Sequence, residues 1–236
     1  MRLLVTRPET ANDPLARALR ERGHEVLSAP LLRIEPVVLA DHGLDRAQAV
    51  LLTSANAVPG LPAAAKALPV WAVGEATAAA ARAAGCTEVR AAGGDGAALA
   101  EAVGGGLDPR DGALVHYSGA DVRPGLAEAL DAAGFAVRRR VVYRAVAGER
   151  LPAAVAAALA SGAVGAVLLF SPRTATIFVG LVSGLPAEAG LAVTEAWCLS
   201  AAVAQAAADL PWRVRKVAPE PTVDAMLELA EPPRSA

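Results

Sequence analysis

The 236-residue chain carries 22 Lys+Arg against 24 Asp+Glu, a net charge of -2, and 54% hydrophobic residues, enough material for the core of one large domain or two small ones. Fifty-nine residues are Ala and only 3% are aromatic, so arguments about the fold rest on Val, Leu, Ile and the few rings. The near-neutral balance, with no basic run longer than Arg138, Arg139 and Arg140, argues against nucleic acid as a partner, and the scattered Cys86, Cys198, His24, His42 and His116 argue against a disulfide framework or a zinc site.

The chain opens with an apolar strand, RLLVT, and Arg7 and Glu9 arrive too early for the apolar core of a signal peptide, so a cytoplasmic protein is expected. LARALRERGHEV (15–26) predicts a helix stopped by Gly23, a turn at His24 and a second strand. The extended LLRIEPVVL (31–39) reads as a linker. VLLTSANAV (50–58) is a buried-type strand ending at Ser54, where a helix can begin, and VWAVGEATAAAA (70–81) is a short strand, Gly74 and an Ala-rich helix. The glycines at 104–106 precede a turn at 107–110 instead of opening a helix after a strand, and no GxxxxGK[ST] occurs, which removes the best support for nucleotide binding. ALVHY (113–117) predicts a strand, LAEALDAAGFAV (126–137) a helix, a Gly stop and a strand, and RRVVYRAVA (139–147) a second linker. Residues 151–172 carry no charge over a length that would span a bilayer, yet Pro152, Ser161, Gly162, Gly165 and Pro172 break the stretch into a helix, a turn and a buried strand, and no membrane contact is expected. VLLFSPRTA (167–175) and AWCLSAAVAQAA (196–207) complete the series of strands that run into helices.

Three of these segments repeat. Residues 15–26 match 126–137, residues 50–58 match 167–175 and residues 70–81 match 196–207, at offsets of 111, 117 and 126, the pattern of a duplicated unit with loop insertions. Strands alternating with helices predict parallel sheets covered on both faces. If the linkers 31–39 and 139–147 pair, residues 1–35 and 147–236 form a discontinuous first domain, and 37–141 form a second inserted into it, the two facing each other across a cleft.

Ligands of open α/β sheets bind beyond the carboxyl ends of the strands. Those ends carry Thr6, Arg7 and Pro8; Thr53, Ser54 and Asn56; Gly74 and Thr77; Ser118 and Gly119; Ser171, Pro172 and Arg173; and Ser200. Hydroxyls at helix starts leave backbone amides and a helix dipole for carboxylates or phosphates, so these loops can together hold a polyanion. A Ser or Thr at an N-cap also serves in any α/β protein simply to satisfy the helix end, and no single one identifies a ligand. HYSGAD offers His116, Ser118 and Asp121 to nucleophilic catalysis, but no GxSxG elbow exists and a triad is not expected. Tyr143, one of only two tyrosines, sits in the second linker, where its phenol can donate a proton to a leaving oxygen or simply rest in water over the ladder.

In order and spacing, LLVTRP, LLTSANAV, VWAVGEATAAAARAAG, LAEALDAAGFAV with VVYR, FSPRTA, CLSAAVAQAA and PTVDAML resemble the uroporphyrinogen-III synthases over nearly the whole chain, most of all in VGxATA with Thr77 and the Tyr of VVYR. The resemblance implies two similar flavodoxin-like or Rossmann-like α/β domains with parallel sheets joined by a two-stranded β-ladder hinge. It implies an enzyme that closes hydroxymethylbilane, a linear tetrapyrrole octacarboxylate, with loss of water and inversion of ring D through a spirocyclic pyrrolenine, without cofactor or metal. It further implies a monomer that binds neither nucleic acid nor membrane and touches hydroxymethylbilane synthase at most transiently. By position Tyr143 matches the family tyrosine held to be a proton donor, and Thr77, Ser54 and Ser171 match residues lining the cleft. The chain departs from the family at Ser118, where many members have Arg, and at Ser200, Ala201 and Ala202, which replace Gly-x-Thr, so that contacts there fall to the backbone. Read from its residues alone, the chain also fits a non-catalytic tetrapyrrole or small-anion binding protein.

Overall fold

The computed structural model describes residues 1–7 and 9–230, with only the backbone for 9–14. β1 (Arg2–Val5), α1 (Glu9–Glu21), β2 (Glu25–Ser28) and β3 (Leu32–Pro36) are followed by β4 (Ala47–Leu52), a 3-10 helix at Ala55–Gly60, α2 (Ala63–Lys66), β5 (Val70–Ala72), α3 (Glu75–Ala83), β6 (Val89–Ala91) and α4 (Gly96–Gly106). Then come β7 (Ala113–Gly119), α5 (Leu126–Ala132) and the long β8 (Val137–Ala147). The chain ends with α6 (Ala153–Ala160), β9 (Ala166–Leu169), α7 (Pro172–Val182), α8 (Pro186–Ala189), a 3-10 turn at Gly190–Val193, β10 (Glu195–Cys198), α9 (Ala201–Ala206), β11 (Val214–Val217) and α10 (Val223–Glu228).

Two compact units result: Met1–Arg33 with Val146–Ala236, and Ile34–Ala145. The first is built on a sheet of order β11-β10-β9-β1-β2, parallel throughout. In chain order that is 2-1-3-4-5, the flavodoxin-like arrangement. The second sheet runs β3-β8-β7-β4-β5-β6 and is parallel from β8 to β6. The repeats explain the likeness. β1-α1-β2 corresponds to β7-α5-β8, and β4 and β5 correspond to β9 and β10, so each sheet places equivalent strands in the same order. β3 lies at the edge beside β8, where the Val37 N–H donates to the Val142 carbonyl (2.9 Å) and the Gly148 N–H to the Leu31 carbonyl (2.9 Å), an antiparallel register.

Both faces of each sheet are buried, which is why the central strands read as unbroken apolar runs. In the first unit Leu4, Val167, Leu169 and Cys198 pack on one side and Leu3, Val5, Leu168 and Trp197 on the other. In the second, Val50, Leu52, Val115 and Tyr117 oppose Ala49, Leu51, Trp71 and Leu114. The uncharged stretch 151–172 resolves into α6, a turn and β9, whose residues are all buried. Among the described residues no single helix is long and apolar enough to cross a membrane.

The match between 50–58 and 167–175 holds for the strands and fails beyond them. Ser171 starts the 11-residue α7, whereas Ser54 starts only a 3-10 helix containing Pro59. Proline lacks the N–H that an α-helix would use there, and Gly60 lies so close to Val142 that an added Cβ would come within 2.5 Å of its Cβ. The chain is thereby turned down toward α2 instead of extending a helix.

Candidate functional site

Strand order in the second sheet reverses between β4 and β7, the place where open α/β sheets leave a crevice at the strands' carboxyl ends. A cavity of about 670 Å³ opens there, walled by Thr53 and Ser54 after β4, His116 and Gly119 of β7, Asp121 and Arg123 in the following loop, Asp95 and Gly96 at the start of α4, and Tyr143 of β8.

Tyr143 owes its position to an irregularity between β7 and β8. Ser118 pairs with Val141 and Gly119 with Tyr143, so Val142 is an extra residue, as in a β-bulge. Val142 is buried in the core with Tyr117 and Val115, and the Ala120 N–H donates to the Tyr143 carbonyl (2.9 Å). The Tyr143 ring then lies on Gly119, where a Cβ would sit 2.6 Å from its Cζ and 2.9 Å from its hydroxyl. Arg139 holds the same turn from below. Its Nε donates to Ser118 Oγ (3.0 Å), and its Nη2 donates to the carbonyls of Gly119 (2.7 Å) and Ala120 (2.5 Å).

His116 is 5% exposed, and its Nε2 lies 3.0 Å from Thr53 Oγ1. Burial, assisted by the nearby Arg139 charge, pushes its pKa from 6.5 down to about 4, so the ring is neutral near pH 7. The Asp95 carboxylate accepts the Ala98 N–H (2.8 Å), and the Glu128 carboxylate accepts the Gly125 N–H (2.8 Å), so these acids cap the starts of α4 and α5 themselves. Arg123 is exposed and, among the described residues, is the only Lys or Arg lining the cavity.

Of the candidate residues in this unit, Thr53, Ser54, Gly119 and Tyr143 meet at the cavity. Asn56 lies in the 3-10 helix, its N–H donating to Ser54 Oγ (3.2 Å). Gly74 caps α3 with an extended backbone and without a side-chain cap bond, and a Cβ there would meet only Gly94 Cα at 3.7 Å. Thr77 is buried in α3, and Ser118 is fully buried, its hydroxyl donating to the Gly119 carbonyl (3.1 Å) and accepting from Arg139. Neither side chain lines the cavity.

In the first unit the remaining candidates follow β1, β9 and β10, which are adjacent and parallel. Arg7 stacks its guanidinium 4.8 Å from the centre of the Phe170 ring, and burial lowers its pKa below the usual value. Ser171 Oγ accepts the Thr174 N–H (3.1 Å), Arg173 is exposed on the first turn of α7, and Ser200 caps α9 without a side-chain bond. Pro8 lies outside the described residues. A second cavity, about 520 Å³, lies among α6, α7 and α8, and Leu151, Leu181 and Leu185 give it an apolar lining away from the strand ends.

His116, Asp95, Asp121 and Arg123 were not among the sequence candidates for binding. Arg123 was within reach of sequence reasoning, because it stands in the loop between a predicted strand and a predicted helix. The pairing of His116 with Thr53 depends on β4 lying beside β7, which neither segment announces. Among the described residues no group of three or more His, Cys, Asp or Glu side chains is placed to hold a metal ion. What the cavity offers is a phenol on its wall, a neutral imidazole bound to a hydroxyl, one exposed cation, and the carboxylates of Asp95, used as a helix cap, and Asp121.

Comparison with known proteins gives a consistent result. The family model for uroporphyrinogen-III synthase HemD matches residues 13–228. No curated protein is matched by sequence. Among solved structures, the fold is similar to that of uroporphyrinogen-III synthetase from Helicobacter pylori, with 17% identity, a TM-score of 0.62 and 98% of each chain covered. It is also similar to a mutant uroporphyrinogen III synthase from the extreme thermophile Thermus thermophilus, with 17% identity, a TM-score of 0.51, and 97% of this chain and 96% of that one covered.

Proposed function

The chain belongs to the uroporphyrinogen-III synthase family, and from that premise we propose how its residues carry out the cyclisation. The enzyme is a lyase of tetrapyrrole biosynthesis that converts hydroxymethylbilane into uroporphyrinogen III with loss of water. Because the bilane also closes unaided to the uninverted isomer, catalysis consists largely of holding a flexible octacarboxylate so that the substituted carbon of ring D is the one that attacks.

Tyr143 donates its phenolic proton to the hydroxymethyl oxygen, which leaves as water, and the positive charge spreads into the pyrrole. Ring D attacks through its substituted carbon to give the spirocyclic pyrrolenine. Rearrangement and loss of a ring proton then restore the aromatic system, and the phenolate takes that proton back. Arg123, Thr53 and Ser54 bind substrate carboxylates around the cavity, and the α3 start at Gly74 contributes amides that no side chain caps. In the first unit Arg7, Ser171, Arg173 and Ser200 take up carboxylates in the same way, and Thr77, Asn56 and Ser118 act through the backbone they support.

The observation that supports this assignment is the placing of the Tyr143 phenol on the wall of the switch-point cavity, over a glycine that leaves it room. We further propose that the chain acts as a cytoplasmic monomer and, because the bilane closes unaided, that it makes a transient contact with hydroxymethylbilane synthase. The test is a coupled assay with freshly generated hydroxymethylbilane and separation of the oxidised products. Isomer III in excess over a protein-free control is expected, whereas isomer I alone from folded protein overturns the assignment.

A further inference from the structure

β7 is an interior strand, fully buried along its length, and a histidine in such a place costs free energy unless it is bonded. His116 sits there with one polar contact on the cavity side, Thr53 Oγ1 at 3.0 Å. The contact crosses from β7 to its neighbour β4, whose Leu51 and Leu52 pair with His116 and Tyr117. Thr53 is the first residue beyond β4, and both side chains line the same cavity.

A neutral imidazole has one N–H and one bare nitrogen. If the bare nitrogen faced Thr53, the hydroxyl hydrogen would be used inside the protein and only oxygen lone pairs would meet the ligand, an arrangement that repels carboxylate. If Nε2 carries the hydrogen, Thr53 Oγ1 accepts from it, and the threonine hydrogen is left to point into the cavity. The Arg139 guanidinium, bonded to Ser118 and Gly119 of the same strand, opposes a second proton on the ring. Resting on the reading that this cavity binds substrate carboxylates, we propose that His116 is a positioning residue: its Nε2–H donates to Thr53 Oγ1 and fixes the Thr53 hydroxyl as a donor to one carboxylate of the tetrapyrrole.

The bond to the carboxylate exists in bound substrate and in the transition state alike, so its loss falls on KM more than on kcat. Thr53→Val, which removes the donor itself, is expected to raise KM for hydroxymethylbilane about tenfold with kcat within about twofold, the effect of losing one charge-assisted hydrogen bond. His116→Leu leaves the hydroxyl in place but no longer held as a donor, so it is expected to raise KM severalfold and no further than Thr53→Val, and the double variant is expected to be no worse than Thr53→Val alone, because the histidine acts through the threonine. His116→Gln, whose amide N–H reaches toward the Nε2 position, is expected to recover most of the loss.

Unchanged KM in folded His116→Leu, or losses that multiply in the double variant, overturns the proposal. If His116→Leu does not fold, Thr53→Val and His116→Gln decide: unchanged KM in the first, or a severalfold rise in the second, overturns it equally. Isomer III formed by the parent protein in the same assay separates this outcome from a failure of the functional assignment, which would remove isomer III altogether.

Discussion

The Tyr143 ring rests directly on Gly119, so that a single methyl at position 119 would lie 2.6 Å from its Cζ and 2.7 Å from one of its ring edges. Gly119 has no left-handed backbone to protect, since it is absent from the positive-φ glycines. Gly119→Ala is therefore expected to fold, with the ring swung away to make room. Stability should fall by about 1 to 2 kcal/mol, since the ring gives up part of its packing on the core to make room. Turnover should drop at least as far as when the phenol itself is removed, because the hydroxyl would be displaced from the substrate. A variant with Gly119→Ala and full kcat would show that the position of the phenol is immaterial.

Tyr143→Phe removes one oxygen and leaves the ring on its platform. If the phenol helps the hydroxyl to leave, kcat should drop roughly 10- to 100-fold, at the low end of general acid catalysis because water can substitute in part. Thermal unfolding should be nearly unchanged, since the ring packs on the core with Val142 and Tyr117 through its carbons. Single-turnover kinetics on preformed substrate would check this, and a normal rate would take the proton donor role from Tyr143.

The architecture was legible because duplication writes it twice. The three repeated segments became β1-α1-β2 with β7-α5-β8, β4 with β9, and β5 with β10, and equal neighbours in the repeat became equal neighbours in the sheet. β6 and β11 were not legible. VRA and VRKV are short and largely exposed, and their place in a sheet comes from pairing with β5 and β10 and not from any apolar run. At the site, Tyr143 stood out as a rare residue type, and Thr53, Ser54 and Gly119 as strand ends. Thr77 and Ser118 looked equivalent to them in one dimension, but α3 buries the first and Arg139 occupies the second. His116 was hidden for the opposite reason: its partner is 63 residues away, and only the strand order brings them together.

Gly190 shows the cost of a methyl where nothing can yield. It is buried at the junction of α8 and the following 3-10 turn, and an added Cβ would overlap the carbonyl oxygen of Leu159 in α6. That obstacle is backbone, unlike the movable ring over Gly119. Gly190→Ala is expected to destabilise the protein by about 1 to 3 kcal/mol through forced separation of α6 and α8. Urea denaturation would measure it, and an unchanged midpoint would mean that the two helices separate freely.

His116 also couples stability to acid. In the unfolded chain the imidazole takes a proton below about pH 6.5, whereas in the folded protein burial and Arg139 hold its pKa at about 4. Between those values the unfolded state binds more protons, so this group's contribution is fully present above pH 6.5 and is lost as the pH falls toward 4. The whole shift corresponds to roughly 3 kcal/mol, enough to be visible against ordinary carboxylate titration. Urea midpoints measured from pH 7.5 down to pH 4.5 should therefore decline more steeply in the parent protein than in His116→Gln, which has no proton to take up. Parallel curves would mean that the ring is protonated as easily when folded as when unfolded, against the burial and the Arg139 charge that hold its pKa down.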